Sequence, residues 1–168
     1  MSGLENYRVL VARVDEMCAT TATKFAAHLA CRPGCDACCR HLTIFAVEAA
    51  ALRRALEELP PSQQEQIREL AKVSTAHGRC PLLHDGLCLL YEARPIICRT
   101  HGLPLLVKRG DDSEIDFCPE NFAGVESIPG SAVIDLERLN ALLAAINALY
   151  LKGCPGPERI TMAQALSE

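Results

Sequence analysis

The stretch Cys31-Arg-Pro-Gly-Cys35-Asp-Ala-Cys38-Cys39-Arg40 places four thiols within nine residues of the chain. Four further cysteines follow at longer intervals, as Cys80, Cys88, Cys98 and Cys118. Pro33 and Gly34 predict a turn inside the stretch, because proline fixes φ and glycine reaches backbone angles that other residues avoid. We therefore expect a loop here, with the remaining chain forming a helical scaffold around eight sulfur atoms.

The composition indicates a globular protein, since 49% of the 168 residues are hydrophobic and 23% are charged. A chain of this length is expected to fold as a single domain over 1–168. Its net charge is −4 and no basic run is longer than the Arg53-Arg54 pair, so we expect no nucleic-acid partner. No apolar stretch approaches the roughly 18–20 residues of a membrane helix, and the first residues lack a signal-peptide pattern. We therefore expect a cytoplasmic protein that makes no membrane contact.

A cytoplasmic location changes what the ten cysteines of the chain indicate. In a reducing compartment, clustered thiols are typical of metal ligands or redox groups rather than disulfides. Thiolates are soft donors that bind zinc or iron, and eight of them exceed the four that one zinc ion takes. Neighbouring side chains diverge, so Cys38 and Cys39 do not easily serve one tetrahedral ion. The thiol count therefore favours an iron–sulfur cluster or a multinuclear site.

Apolar residues that recur every three or four positions predict two long helices, over 4–30 and 135–152, on either side of the cysteine region. Cys18 lies on the apolar stripe of the first and is expected in the core. Shorter helices are expected over 43–58 and from Ser62, where Ser62-Gln-Gln-Glu65 matches a capping box. The polar tail is expected to hold one short helix.

Turn signals lie between the predicted helices. The segment from Cys80 to Cys88 is expected to form a tight loop or a short hairpin with Asp85-Gly86 as its turn, and the turn over 110–113 predicts a small hairpin. The predicted fold class is thus mostly α, a small helical domain with irregular cysteine-rich metal-binding loops and one short β-hairpin.

Two other interpretations of the opening stretch have to be weighed. Cys31-x3-Cys35-x2-Cys38 has the spacing of the radical S-adenosylmethionine enzymes, but this chain is too short for them and shows no strand–helix alternation. Cys35-Asp-Ala-Cys38 has the form of a thiol–disulfide exchange motif. That interpretation lacks a βαβ pattern and leaves the surplus cysteines unexplained.

The five histidines can act as ligands or as polar scaffold residues. His28, His41 and His101 lie within three residues of a cysteine, and His77 and His84 are expected in loops. No Ser–His–Asp set, paired-carboxylate arrangement or phosphate-binding glycine loop stands out. No catalytic residue is therefore predicted, and an enzyme is the weaker interpretation.

Taken together, these residues resemble the CxxCxxCC family of zinc- or iron-chelating cysteine-cluster proteins. The opening motif is similar at Cys31, Cys35, Cys38 and Cys39, although three residues rather than two separate the first pair. The second motif, Cys-x2-Tyr-x2-Arg-Pro-x2-Cys-Arg, is similar at Cys88, Tyr91, Arg94, Pro95, Cys98 and Arg99. Cys80 precedes this motif and Cys118 closes it. The resemblance spans about residues 31–118, which leaves the two long helices outside it.

The resemblance implies that eight cysteines bind metal: Cys31, Cys35, Cys38, Cys39, Cys80, Cys88, Cys98 and Cys118. The family leaves zinc or iron open, although a similar module in flagellin lysine methylases implies an iron–sulfur cluster there, and with the thiol count we expect such a cluster ahead of zinc. Methyl transfer does not carry over, because this chain contains little besides the module. Arg94 and Arg99 are expected to balance the sulfur charge, and Tyr91 is expected to fix the loop between Cys88 and Cys98.

The function implied is a small cytoplasmic metal-binding protein that handles metal, transfers electrons or serves as an accessory protein. A structural zinc-binding interaction module is one alternative, and a thiol- or metal-dependent enzyme is another. The apolar stripes of the two long helices can pack together or can bind a protein partner.

Overall fold

A computed structural model describes residues 3–75 and 78–167 of the chain. Six α-helices lie within these residues: α1 Glu5–Lys24, α2 Ala46–Glu57, α3 Pro61–Val73, α4 Ile96–Thr100, α5 Leu136–Gly153 and α6 Met162–Ser167. Helices make up 51% of the structure, which confirms the predicted helical content. None of the helices described is both long enough and apolar enough to cross a membrane. His77, predicted in a loop, lies outside the described residues.

Seven short strands accompany the helices in the same part of the chain: β1 Thr43–Phe45, β2 Leu83–His84, β3 Leu87–Cys88, β4 Leu105–Arg109, β5 Asp112–Asp116, β6 Ile134–Asp135 and β7 Arg159–Thr161. β2 and β3 form one hairpin and β4 and β5 the other, while β6 runs parallel to β4 and β1 pairs antiparallel with β7. The predicted class is therefore incomplete, because it placed one hairpin in a mostly α fold. Strands of two or three residues are too short to show the alternation that identifies a strand.

The first predicted helix, 4–30, is wrong at its C-terminal end, because α1 stops at Lys24. Phe25 leaves helical geometry with φ −113° and ψ 24°. Its ring packs edge-to-face on Phe122, with 5.4 Å between the ring centroids. The N–H of Phe122 also donates to the carbonyl of His28 at 2.6 Å. Contacts with a distant segment accompany the end of this helix, and no local pattern indicates them.

The sequence predicts one helix start correctly and another wrongly. Asp135 caps α5 by accepting the N–H of Arg138 at 3.0 Å, and the predicted helix 135–152 is confirmed to within a residue. The capping box expected at Ser62 is wrong, because α3 begins at Pro61 and Ser62 lies inside its first turn. Proline suits the first helical position, where its missing N–H has no intrahelical partner to lose.

Two hydrophobic cores share α2 between them. The first core joins α1, α5 and the sheet of β4 and β6, and includes Tyr7, Val14, Phe25, Val47, Phe122, Ile134, Leu139 and Leu143. The second core joins α2, α3 and α6, and includes Ile44, Leu52, Leu56, Ile67, Leu82, Met162 and Leu166. The apolar stripes of the two long helices thus pack into one core.

Asn147 is a buried polar residue on the apolar face of α5, with 1% of its surface exposed. Its Oδ1 accepts the N–H of Val47 at 3.0 Å, and its Nδ2 donates to the carbonyl of Glu158 at 3.3 Å. A buried backbone polar group requires a partner. Asn147 therefore joins α5 to the start of α2 and to the segment that leads into β7.

We expect Asn147→Ala to lower the free energy of unfolding by about 1–3 kcal/mol, because the N–H of Val47 is left buried without an acceptor. Asn140→Ala, on the exposed side of the same helix, should change it by no more than about 0.5 kcal/mol. Urea denaturation of the two variants measures the difference. Equal losses would mean that the buried amide has no special role.

Candidate metal centre

The opening cysteine stretch consists of two consecutive turns. The N–H of Cys35 donates to the carbonyl of Arg32 at 2.9 Å, and Gly34 between them has φ +90°, which only glycine adopts without strain. The N–H of Cys39 then donates to the carbonyl of Asp36 at 2.9 Å. The loop predicted here is therefore present, and it presents its thiols from tight turns.

The second cysteine segment lies directly against the first. The N–H of Cys80 donates to the carbonyl of Cys39 at 3.2 Å. Cys88 lies on β3, beyond a hairpin turn in which Gly86 has φ +74°. A Cβ added to Gly86 would lie 3.3 Å from the Cα of Gly34, so the two turns approach closely. Residues about 50 positions apart are thereby held together by backbone contacts.

Cys98 reaches the same region because α4 is fixed to the core through Glu48. One carboxylate oxygen of Glu48 accepts the N–H of Ile96 and the other accepts the N–H of Phe45, each at 3.0 Å. Burial raises the pKa of Glu48, and these two N–H donors partly offset the rise. Glu48 is the acidic residue in the first turn of α2, a position that favours a negative charge. Its second role, which orients the helix that carries Cys98, depends on a contact 48 residues away.

Cys31 and Cys118 meet on either side of Gly102. A Cβ added to Gly102 would lie 3.5 Å from the Sγ of Cys31 and 3.5 Å from the Cβ of Cys118. Gly102 also has φ +88°, so a side chain at this position would strain the backbone as well as crowd the two cysteines. The buried Asn121 contacts the Sγ of Cys31 through its Nδ2 at 3.4 Å. Sequence analysis missed Gly102 and Asn121, although Asn121 lies only three residues beyond the closing cysteine.

Five of the predicted ligands are half-buried, and four of them, Cys39, Cys80, Cys88 and Cys98, form an inner group in which the first three act electrostatically on the last. We call the other four, Cys31, Cys35, Cys38 and Cys118, the outer group. The pKa of Cys98 rises to about 12, first because the thiol is buried and then because the other three inner sulfur atoms are near enough to add negative charge. Burial likewise raises the pKa of Cys80 to about 11, with smaller increases from Cys88 and Cys39. The inner thiols therefore lie close enough to influence one another.

Cys38 and Cys39 connect the two groups. Burial first, and then the charge of Cys88, raise the pKa of Cys39. The pKa of Cys38 rises to about 11 through partial desolvation and through its neighbour Cys39, although the residue as a whole is exposed. Cys35 and Cys31 also contribute to the shift at Cys38. The adjacent pair therefore stands between thiols of the inner group on one side and thiols of the outer group on the other.

Arg94 and Tyr91 lie beside the inner group. The guanidinium of Arg94 stacks on the ring of Tyr91 at 3.8 Å from the centroid, and its Nη1 donates to the carbonyl of the same residue at 2.8 Å. Burial raises the pKa of Cys88, while the charge of Arg94 partly lowers it. Arg94 is thus close enough to a predicted ligand to balance its charge. Tyr91 is exposed and begins a short 3₁₀ turn between Cys88 and α4.

Arg99 is oriented towards oxygen atoms. Its Nη1 lies 2.8 and 2.6 Å from the two carboxylate oxygens of Asp15, and its Nε donates to the carbonyl of Arg94 at 2.8 Å. Its Nη2 donates to the carbonyl of Glu92. Only 5% of the Arg99 side chain is exposed. These contacts join α1 to the loop before α4, and the expected balancing of ligand charge by Arg99 stays a prediction.

The remaining cysteines and histidines have other surroundings. Cys18 packs against the first core, as expected, and Cys154 is exposed near the end of α5. The Nδ1 of His41 lies 2.7 Å from the carbonyl of Thr75, and its Nε2 accepts the N–H of Ala163 at 3.2 Å. Both ring nitrogens of His41 therefore contact the backbone, which identifies a scaffold residue.

The donor set fits zinc or iron by its chemistry. Eight thiols, of which four are half-buried and influence one another, offer the soft donors that both metals prefer. Within residues 3–75 and 78–167, no group of three or more His, Cys, Asp or Glu side chains is arranged so that it could hold a metal ion as it stands. The inner thiols are gathered by the backbone and retain their protons near neutral pH. Metal binding would thus require the sulfur atoms to lose protons and draw together.

Comparison with known families gives one match. The family model CxxCxxCC, described as "Putative zinc- or iron-chelating domain", matches residues 30–119. Searches of curated proteins and of solved structures found no match. The matched range includes all eight predicted ligands, and its limits lie one residue outside the predicted module of 31–118.

We expect the apparent affinity for zinc to increase with pH, because the raised pKa values of Cys80 and Cys98 keep these thiols protonated near neutral pH. Each proton displaced should contribute about a tenfold increase per pH unit. Competition titrations with a chromophoric chelator at pH 6.5 and pH 7.5 measure the change, after correction for the pH dependence of the chelator. An affinity that is independent of pH would contradict thiol ligation.

We expect Arg99→Lys to lower the free energy of unfolding by about 2 kcal/mol, because lysine cannot span Asp15 and two carbonyl oxygens at once. Arg94→Lys keeps the charge beside Cys88 and should cost no more than about 0.5 kcal/mol. Thermal and urea denaturation of both variants measure the difference. A larger loss of stability for Arg94→Lys than for Arg99→Lys would contradict the structural role assigned to Arg99.

Proposed function

Because this chain belongs to the CxxCxxCC family of zinc- or iron-chelating domains, we propose that its eight motif cysteines hold an iron–sulfur cluster or another iron site. The observation that carries the proposal is the inner group, in which four thiols from separate segments are half-buried and influence one another. Burying sulfur charge is unfavourable unless cations offset it. A bound metal would supply that positive charge.

The outer group favours iron–sulfur chemistry over a single zinc ion. Four inner thiols would satisfy one zinc, yet Cys38 stands beside Cys39 with Cys35 and Cys31 near enough to affect it. A site with several metal atoms can use adjacent cysteines, since their side chains need not converge on one point. An iron–sulfur cluster would supply one-electron redox chemistry, and burial and hydrogen bonds to sulfur would set its potential.

A structural zinc module is the second candidate, and the inner group itself favours it. The four thiols of the inner group match the usual complement of a structural zinc site. In that case the four cysteines of the outer group would bind no metal. The two candidates therefore differ in whether Cys38 is needed, while both need Cys98.

A role in binding is supported more than a role in thiol catalysis. Reactive cysteines have lowered pKa values, whereas burial raises those of Cys80 and Cys98 to about 11 and about 12. We therefore propose a cytoplasmic protein that handles metal, transfers electrons or assists a partner protein. A metal-dependent enzyme stays as the alternative.

The test is the metal and acid-labile sulfide content of anaerobically purified protein, together with its visible absorption. We expect a coloured protein that contains iron and sulfide, and loss of both in Cys98→Ser and Cys38→Ser. Cys154→Ser is the matched control, because this exposed cysteine lies outside the matched range.

The outcomes separate the candidates. A colourless protein with one zinc per chain, retained in Cys38→Ser and lost in Cys98→Ser, would establish the structural zinc module instead. Full metal content in both variants would show that the ligand assignment is wrong. A loss in Cys154→Ser equal to that in Cys98→Ser would mean that cysteine replacement acts through general destabilisation.

A further inference from the structure

We propose that Asn121 is a positioning residue that orients the sulfur of Cys31 towards the bound metal. This inference rests on the proposed metal site and adds to it a side chain that is not itself a ligand. Hydrogen bonds to ligand atoms orient them and tune the metal, and their loss typically weakens binding.

The side chain of Asn121 is 1% exposed and uses each of its polar atoms. Oδ1 accepts the N–H of Ala30 at 2.9 Å, immediately before Cys31 in the chain. Nδ2 donates to the carbonyl of Gly102 at 2.8 Å and contacts the Sγ of Cys31 at 3.4 Å. Because the backbone partners require an acceptor at one end and a donor at the other, they fix which atom is nitrogen.

The amide can therefore act as a hydrogen-bond donor or as an acceptor towards the sulfur. The second hydrogen on Nδ2 points to a sulfur that can accept it once the thiol has lost its proton. The protonated thiol can instead donate to Oδ1, which lies 3.7 Å from Sγ. Hydrogen bonds to sulfur are among the factors that set a cluster potential.

Cys31 is the predicted ligand for which such an anchor matters most. It is exposed, and it precedes a proline–glycine turn rather than lying within a helix or strand. Asn121 is itself held three residues beyond Cys118, with its N–H donating to the carbonyl of that residue at 2.9 Å. One buried amide thus connects the segments that carry Cys31 and Cys118 with the loop that follows Cys98.

Asn147 provides a matched control for a test of this role. It is equally buried, accepts one backbone N–H and donates to one backbone carbonyl, but has no sulfur contact among the described residues. Asn→Asp at either position keeps the acceptor and removes the donor. Asn→Leu at either position removes both without adding charge.

The measured quantity is the dissociation constant for zinc at fixed pH, from competition with a chromophoric chelator. We expect Asn121→Asp and Asn121→Leu to weaken zinc binding by about tenfold or more. Asn147→Asp and Asn147→Leu should lose comparable stability and change the constant by less than about twofold. Equal weakening at both positions, or a constant that the Asn121 variants leave unchanged because zinc is held by the inner group alone, would overturn the positioning role and leave Asn121 as a structural residue.

A metal-free measurement keeps the inference testable if the Asn121 variants do not fold. We expect Cys31→Ala to shift the side-chain amide resonances of Asn121 in the NMR spectrum of the apo protein, and Cys35→Ala to leave them in place. Unshifted resonances in Cys31→Ala would overturn the contact and the inference. Wild-type protein that binds neither zinc nor iron would instead overturn the proposed function, and this inference with it, even where the shift is seen.

Discussion

The energetic problem of this molecule is the removal of ionisable sulfur atoms from water at one place. Four cysteines from three separate segments are half-buried together, and each makes ionisation of its neighbours less favourable. Near neutral pH the thiols avoid the cost by remaining protonated, as their raised pKa values require. A metal ion or cluster offers the other solution, because its positive charge replaces the protons. The same burial that makes the free thiols unreactive therefore makes them suitable ligands.

Buried polar side chains hold the scaffold together, as well as the apolar cores. Glu48 connects α2 to the start of α4, Asn147 connects α5 to α2, and Asn121 connects the loops of the outer group. Asn147 and Asn121 each satisfy backbone groups in two other segments, whereas Glu48 satisfies one at the start of its own helix and one in α4. Such contacts are directional, whereas apolar packing tolerates small shifts. Polar bridges are therefore well suited to hold loops in a defined position around a site that needs accurate geometry.

Neighbouring residues of one motif have separate roles in the structure. Arg94 lies beside Cys88 and stacks on Tyr91, while Arg99 is buried against Asp15 and two carbonyl groups. Both arginines follow from the same resemblance, and their positions in the chain give no reason to distinguish them. The contrast arises because Arg99 lies on α4 with its side chain facing α1. Family membership identifies the residues, and contacts between helices decide what each one does.

The sequence by itself determined the cysteine loops, their turns, the helix over 135–152 and the membership of the metal-chelating family. These are local features, since turns depend on proline and glycine, helices on apolar periodicity and the family on spacing. Only the tertiary structure decided where α1 ends, that β1 pairs with β7 and β6 with β4, and that Glu48, Gly102 and Asn121 shape the site. Each of these depends on a contact between residues far apart in the chain, such as Phe25 with Phe122 or Cys31 with Asn121. Periodicity and spacing depend on residues that are close together in the sequence. They therefore do not indicate which distant residues contact each other in the interior.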